Sequence, residues 1–238
     1  LRAFFFGRVG WDTLGAMLII SGAFGLFRRE TVVEAGGYRT DTVGEDMELV
    51  VRMHRHLREQ NEDYQVRFVP DSVAWTEVPS TYRILQSQRD RWQRGLADTM
   101  VRHQRMLFNP RYGVVGTVAY PFFYVLETFG PVIEFLGYVI FAIALAKGAI
   151  SGPFAIAFFL VAFMLGAALS MVAVVLEEFT FGRYQDTGDV LQLMALPLVE
   201  AFGYRQLNAW WRMKGLWSYF RNKEGWGVME RSGFGADS

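Results

Sequence analysis

Residues 135–176 read FLGYVIFAIALAKGAISGPFAIAFFLVAFMLGAALSMVAVVL, and Lys147 is the only charged residue among these 42. A helix needs about 20 consecutive apolar residues to cross the hydrocarbon core of a bilayer. The run and the residues just before it therefore predict two membrane spans, at 131–146 and 153–176. Glycines and a serine between the spans are typical of a tight turn.

Two further apolar segments flank these spans. Residues 190–206 are a third, weaker candidate because a proline and a glutamate interrupt them, and we expect residues 114–130 to be interfacial or re-entrant. Basic residues before the first span and after the last candidate place both flanks in the cytoplasm, which requires an even number of crossings. Either 190–206 is interfacial, or 114–130 helps to make a fourth crossing, and the sequence leaves both possibilities open.

Two carboxylates and four tryptophans stand at the edges of the apolar region. Glu127 and Glu134 are seven residues apart and share a helix face if the helix continues through Pro131. They face either a protein interior or wet path, as intramembrane carboxylates usually do, or the lipid headgroups. Aromatic residues predicted to form a belt at the membrane interface are Trp210, Trp211, Trp217 and Trp226.

The remaining sequence has the composition of a soluble domain. Residues 1–113 contain 16 arginines and 14 acidic residues, and the whole chain has 24 basic and 24 acidic residues. Zero net charge argues against nucleic acid as a partner, and the lack of cysteine excludes disulfides, thiolate zinc sites and a cysteine nucleophile. We predict a soluble domain at 1–113, a membrane region at 114–210 and a cytoplasmic tail at 211–238.

Helix and strand patterns alternate within the soluble domain, which predicts an α/β fold. Predicted strands cover 18–27, 64–70 and 73–78, and predicted helices cover 29–35, 44–60 and 81–106. We expect Asp41 or Thr42 to cap the second helix. The sequence opens at Leu1 within this pattern and without an initiator methionine, so we expect the N-terminal half of the domain to precede it.

The start of the second predicted helix carries a candidate catalytic acid. Asp46 lies on the same helix face as three apolar residues, Val50, Met53 and Leu57. A carboxylate on an apolar face is costly unless something pairs with it, which indicates a site residue. Alternatively, Asp46 is a first-turn acid that stabilises the helix dipole. The residues alone leave these two interpretations balanced.

The third predicted helix carries a second candidate motif. Gln88, Arg91 and Trp92 have the spacing i, i+3 and i+4 and therefore share one face, where Gly95 leaves room for a ligand or a backbone. An amide, a guanidinium and an indole suit a sugar nucleotide, since arginine binds phosphate oxygens bidentately. The alternative is an arginine and a tryptophan that snorkel at the membrane interface.

The order of these motifs resembles that of the processive membrane glycosyltransferases of family 2, which include cellulose, hyaluronan, chitin and poly-N-acetylglucosamine synthases. The resemblance rests on GED at 44–46, QRDRW at 88–92 and the membrane spans that follow. ISGAFGLFRRETVVEAGGY at 20–38 is most similar to the poly-N-acetylglucosamine synthase branch. The resemblance implies a GT-A catalytic domain on the cytoplasmic side of the inner or plasma membrane, with several helices crossing the bilayer.

The resemblance also implies roles for the residues of both motifs. Asp46 would be the general base on the acceptor hydroxyl, with Glu45 beside it in the catalytic acid pair. Gln88 and Arg91 would bind the pyrophosphate of the donor, and Trp92 would help to fix the acceptor sugar.

Two further implications concern the acceptor and a metal ion. Ser21, Gly22 and Ala23 would form the floor of the acceptor site. A Mg²⁺ or Mn²⁺ ion is expected, with ligands upstream of Leu1 because the metal-binding Asp-x-Asp of the family has no counterpart here. Gly44 stands where cellulose synthases usually have threonine, which makes cellulose a less favoured product.

The resulting expectation is inverting transfer from a UDP-sugar, most simply UDP-N-acetylglucosamine, to a growing polysaccharide, coupled to export across the bilayer. Accessory membrane subunits are possible partners, and we expect the 238 residues to be inactive alone. A non-processive family 2 transferase that acts on a lipid-linked sugar is one alternative. A non-catalytic membrane scaffold or transporter subunit is another.

Overall fold

The computed structural model describes residues 7–20, 22, 24–69, 77–181, 187–222 and 225. Its α-helices are α1 (Gly7–Thr13), α2 (Arg29–Glu34), α3 (Glu45–Glu59), α4 (Tyr82–Arg102), α5 (Thr128–Ala146), α6 (Gly152–Phe181), α7 (Thr187–Val199) and α8 (Arg205–Phe220). The chain divides into two compact units. The first unit comprises Trp11–Gly130 and Trp211–Ser238, and the second comprises Leu1–Gly10 and Pro131–Trp210.

Helix α2 confirms the predicted short helix, and two glycines follow its end. Its last residue is followed closely by Gly36 and Gly37, whose φ angles are 94° and 70°. Glycine adopts this left-handed backbone without the penalty that a side chain would bring. Arg52 of α3 donates hydrogen bonds to the carbonyl oxygens of Ala35 and Gly37, so the turn is tied to the next helix.

Helix α3 has the predicted extent, but the predicted cap was wrong. Gly44 is the N-cap residue and has no side chain that could accept a hydrogen bond. Thr42 accepts a hydrogen bond from Gly44 N at 3.3 Å, outside the helix. Asp41 pairs instead with the guanidinium of Arg39 at 2.7 Å. Acids fill the first turn of α3 and stabilise the positive end of its dipole in place of a cap.

The predicted strands are absent from the described parts of 18–27, 64–70 and 73–78. Leu18 is fully buried, so the first of these runs does enter the core, but Leu26 is 97% exposed. A strand needs a hydrogen-bonded neighbour, and no partner strand lies within the described residues. Most of the third run lies outside the described residues.

The core of the first unit forms where α3 packs against α4. Helix α4 begins where it was predicted to begin, and Thr81 caps it by accepting a hydrogen bond from Ile84 N at 3.3 Å. The helix is shorter than the predicted 81–106, because a 3₁₀ turn at Gln104–Met106 follows it. Buried apolar side chains of this core are Met47, Val51, Leu96, Met100 and Met106.

The apolar segment 114–130 packs one of its faces on this core. It forms two π-helical stretches, Val115–Ala119 and Phe122–Glu127, which continue into α5. The hydroxyl of Tyr120 donates to Met100 O of α4 at 2.5 Å. Residues of the segment that join the buried core are Val115, Ala119, Tyr120 and Phe123. Its interfacial or re-entrant location stays a prediction.

Among the described residues, two helices are long and apolar enough to cross a membrane, Val115–Ala146 and Gly152–Leu176. They contain both predicted spans, and the helix does continue through Pro131. The third candidate segment lies mostly in α7 and in the π-helical stretch Glu200–Tyr204 that joins α7 to α8, and it is not among the helices that meet this criterion within the described residues. The number of crossings and the orientation stay predictions.

The two carboxylates at the edges of the apolar region have protein partners, whereas the tryptophans differ in exposure. Glu127 pairs with Arg212 at 3.0 Å, and Glu134 pairs with Arg205 at 3.1 Å. Both carboxylates therefore have cationic protein partners, and their location in a protein interior or among the lipid headgroups stays a prediction. Among the tryptophans, Trp211 is buried in the first unit, so the aromatic-belt prediction was wrong for this residue. Trp210 and Trp217 are exposed, and Trp226 lies outside the described residues.

Candidate functional site

The two predicted motifs meet through a pair of glycines. Gly44 precedes the acid pair at the start of α3, and Gly95 lies one turn beyond Trp92 in α4. A methyl group added at either glycine would lie 2.8 Å from the Cα atom of the other. Only the absence of both side chains permits this approach. Of the two occupants expected beside Gly95, a ligand or a backbone, the structure shows the backbone of Gly44.

The candidate base adjoins the candidate acceptor segment. Asp46 is half-buried in the first turn of α3, and its Oδ1 accepts a hydrogen bond from Met47 N at 2.8 Å. Its Oδ2 faces Gly22, where an added methyl group would lie 2.7 Å from this oxygen. The structure therefore brings Gly22 and Asp46 together. Ser21 and Ala23 lie outside the described residues.

The other acids of the first turn of α3 differ in their surroundings. Glu45 is half-buried, whereas Glu48 is 1% exposed and accepts hydrogen bonds from Arg52 at 3.0 Å and His103 at 3.1 Å. Burial alone would raise the pKa of Glu48, but the hydrogen bonds from His103 and Arg52 outweigh it and lower the pKa. Sequence reasoning missed Glu48, although its i, i+4 spacing to Arg52 was a usable signal.

The side chains of the Q-x-x-R-W motif differ in exposure. Gln88 is half-buried, Arg91 is 9% exposed and Trp92 is 42% exposed. The guanidinium carbon of Arg89 lies 4.7 Å from the centre of the Trp92 ring, within the range of a cation–π interaction. The motif thus presents a largely buried cation and a partly accessible indole on α4. The contact of Gly95 with Gly44 brings this helix close to the start of α3, where Asp46 lies.

Sequence reasoning missed two polar residues that α4 directs to the C-terminal part of the chain. Asp90 pairs with Arg94 at 2.9 Å and accepts a hydrogen bond from Ser218 Oγ at 3.2 Å. Gln93 is 2% exposed and accepts a hydrogen bond from Arg212 Nε at 2.8 Å. Partners more than 100 residues away leave no local signal, so the sequence could not identify these contacts.

The described residues do not provide a set of ligands for a metal ion. Among the residues that the structure describes, no group of three histidine or acidic side chains is placed to hold a metal ion. The acid pair alone does not form a divalent-cation site. The expected Mg²⁺ or Mn²⁺ stays a prediction.

Comparisons with known proteins agree with the order of the motifs. The sequence profile described as "Glycosyl transferase family group 2" matches residues 2–171. Poly-beta-1,6-N-acetyl-D-glucosamine synthase of Staphylococcus aureus (strain COL) is 36% identical over 88 residues, which are 37% of this chain and 20% of that protein. Probable glycosyltransferase YdaM of Bacillus subtilis (strain 168) is 28% identical over 130 residues, 54% of this chain and 29% of that protein.

The curated relatives share only part of their length with this chain, 20% and 29% in these two cases. No solved structure gave a significant match. The family profile, by contrast, covers well over half of the chain and includes the acid pair, the Q-x-x-R-W motif and much of α6. This coverage implies a GT-A fold for the soluble part. The chain therefore belongs to glycosyl transferase family group 2.

Proposed function

We propose that this chain is part of an inverting glycosyltransferase that transfers N-acetylglucosamine from UDP-N-acetylglucosamine to a growing polysaccharide. The observation that carries the proposal is the contact of Gly44 with Gly95, because it joins the acid pair to the Q-x-x-R-W helix. The close approach of Gly22 to Asp46 supports an acceptor site at the same place. Similarity to a poly-N-acetylglucosamine synthase supports the choice of sugar.

Asp46 acts as the general base in this proposal, with Glu45 as the other acid of the pair. Its Oδ2 takes the proton of the acceptor hydroxyl while that oxygen attacks the anomeric carbon of the donor. Attack comes from the face opposite the diphosphate, whose bond to the anomeric carbon breaks, so the configuration inverts. UDP leaves with the bonding electrons, and the proton remains on Asp46 until water removes it.

The motif on α4 binds the two substrates. The planar guanidinium of Arg91 donates two parallel hydrogen bonds to the diphosphate and stabilises its growing charge. Low exposure of Arg91 strengthens that interaction, because charges interact more strongly away from water. Gln88 donates its amide to the same group, and the accessible part of the Trp92 ring stacks on the acceptor sugar.

The apolar helices support a site that lies at a membrane. The two helices long enough to cross support a multi-pass protein of the inner or plasma membrane, with the catalytic domain on the cytoplasmic side. The growing polysaccharide would leave through the bilayer next to these helices, with accessory membrane subunits as possible partners. Basic residues on both flanks support the cytoplasmic orientation.

Replacing the base tests the proposal. In the native polypeptide that contains this chain, Asp46→Asn keeps the shape of the side chain and removes the proton acceptor. We expect sugar transfer to fall by about 10² to 10⁴ while UDP affinity changes little. Asp63→Asn is the matched control, because Asp63 is an exposed acid just beyond α3. Incorporation of radiolabelled N-acetylglucosamine at matched amounts of folded protein is the measurement.

The outcome also separates the alternatives. Near-normal transfer by Asp46→Asn would reject the catalytic role and leave helix-dipole stabilisation. Products of one or two added sugars on a lipid acceptor would identify the non-processive transferase. Wild-type protein without transfer from any UDP-sugar would favour the scaffold.

A further inference from the structure

The C-terminal helix α8 contacts the candidate donor-binding helix, although it lies beyond the residues that the family profile matches. A methyl group added at Gly215 would lie 2.7 Å from Asp90 O and 2.9 Å from the Cβ of Gln93. Ser218 Oγ also donates to Asp90 Oδ1 at 3.2 Å. Asp90 is the middle residue of the Q-x-x-R-W motif, so α8 packs directly behind the motif.

Gln93 links three segments of the first unit. Its Nε2 donates to Thr128 O at 2.8 Å, and its Oε1 accepts from Arg212 Nε at 2.8 Å. Both ends of this buried amide are therefore hydrogen-bonded, which fixes its orientation. Gln93 directly follows Trp92 in α4, so these two hydrogen bonds hold the part of the helix that carries the motif.

Arg212 also donates to a backbone carbonyl that Pro131 of α5 leaves without its usual helical donor. Proline lacks an N–H, so the carbonyl four residues earlier, Glu127 O, has no helical donor from that position. Arg212 Nη2 donates to Glu127 O at 2.6 Å and to Glu127 Oε2 at 3.0 Å. The guanidinium of Arg212 therefore donates hydrogen bonds to three acceptors. They are the carbonyl of Glu127 that proline leaves without a helical donor, the carboxylate of Glu127 and the side-chain amide of Gln93.

We propose that Arg212 is a positioning residue, which holds α4 through Gln93 at the start of the first apolar helix and thereby sets the place of Arg91 and Trp92. The inference rests on the proposed function. Arginine is required because its planar guanidinium donates in several fixed directions at once. Lysine would keep the charge beside Glu127 but could not reproduce the simultaneous contacts with Gln93 and the Glu127 carbonyl.

A matched control lies on the same helix. Arg205 is seven residues before Arg212 in α8 and pairs with Glu134 of α5 at 3.1 Å, just as Arg212 pairs with Glu127. The Arg205 pair belongs to the second unit, whereas α4 belongs to the first. Replacing either arginine therefore removes an ion pair between helices, but only replacement of Arg212 also removes the hydrogen bond to Gln93.

The experiment uses the native polypeptide in liposomes, with the variants Arg212→Lys, Arg212→Gln and Arg205→Gln. We expect both Arg212 variants to raise the KM for UDP-N-acetylglucosamine and lower kcat/KM by about tenfold, the scale of one lost hydrogen bond to a charged group. Arg205→Gln should stay within about twofold of wild type. Loss of folded protein alone would lower the apparent kcat and leave KM unchanged, so KM separates positioning from stability.

Each remaining outcome is decisive. An active wild type with unchanged KM in Arg212→Lys would overturn the positioning role and leave the proposed function intact. Unfolding of both Arg212 variants while Arg205→Gln stays folded would assign Arg212 to stability and also overturn it. A wild type that transfers no sugar would overturn the proposed function, and the positioning role would fall with it.

Discussion

The contact between α3 and α4 and the contact between α4 and α8 are built from the same two components. Each has a glycine that permits close approach, Gly95 against Gly44 in the first and Gly215 against Asp90 in the second. Each also has a polar link between helices. Glu48 of α3 bonds to His103 just beyond α4, and Arg212 of α8 bonds to Gln93 of α4.

The two contacts differ in the burial and charge of those links. Glu48 is an ionised, buried carboxylate, held by Arg52 and His103, whereas the side chain of Arg212 is 25% exposed and its link to α4 is a neutral amide. Removal of one partner from a buried ion pair is far more costly than removal of one from a partly exposed link. We therefore expect the α3–α4 contact to govern folding and the α4–α8 contact to adjust the site.

The largest effect is expected for Glu48→Gln. This change leaves the cation of Arg52 without its carboxylate in a buried place, which should lower the free energy of unfolding by about 3 kcal/mol. Chemical denaturation at pH 7 is the measurement. Glu45→Gln is the matched control for stability, because Glu45 is a first-turn acid of the same helix that is only half-buried.

The pH dependence gives a second measurement on the same variant. Because the pKa of Glu48 is lowered in the folded state, its contribution to stability is present above the ordinary glutamate pKa and is lost as the pH falls through the lowered pKa. Glu48→Gln should therefore flatten the loss of stability in the acid range. An equally steep profile in the variant would contradict the assignment of this carboxylate as the ionised link.

The sequence predicted the helices of the site well because their signals are local. The acid-rich start of α3, the predicted first residue of the α4 segment and the glycines after α2 all lie within a few residues of what they determine. The spacing of Gln88, Arg91 and Trp92 likewise follows from helix geometry alone. Gly95 was identified as a place of close approach, and the structure adds that the neighbour is Gly44.

Apart from the cap of α3, where Asp41 pairs with nearby Arg39, the wrong or missing predictions discussed next concern residues whose partners are distant. The run at 18–27 has the composition of a buried strand, but a strand exists only with a neighbour to pair with. Gln93 and Arg212 are 119 residues apart, and neither stands out by type or spacing. His103 reaches Glu48 across 55 residues in the same way. Long-range polar contacts leave no periodic pattern that a sequence could display.

An intermediate effect is expected for Gly95→Ala. The added methyl group would lie 2.8 Å from Gly44 Cα, and a backbone neighbour cannot rotate away as a side chain can. We expect a loss of about 1–3 kcal/mol in stability from overpacking, with a fall in kcat because the start of α3, and Asp46 with it, moves away from α4. Thermal unfolding and sugar incorporation on the same preparations are the measurements.

Gly137→Ala is the control for this substitution, because nothing lies within 4 Å of a methyl group added there. Alanine is more favourable than glycine in a helix interior by about 1 kcal/mol, so we expect Gly137→Ala to leave stability unchanged or to raise it. Equal behaviour of the two variants would mean that the close approach of Gly44 and Gly95 has no energetic consequence. The comparison between the two helix contacts would then lose its first component.

The smallest effect is expected for Ser218→Ala, which removes one hydrogen bond from the α4–α8 contact. Ser218 Oγ lies 3.2 Å from Asp90 Oδ1, and Asp90 keeps its ion pair with Arg94 at 2.9 Å. Because the carboxylate stays paired, the loss should be about 0.5–1 kcal/mol in stability, with no more than about a threefold rise in the KM for the donor. Ser80→Ala, at an exposed position before α4, is the control. If Ser218→Ala instead destabilised the protein as much as Glu48→Gln, the α4–α8 contact would be a folding contact like its counterpart. If it left stability and KM unchanged while the Arg212 variants raised KM, Arg212 alone would carry the connection to the site.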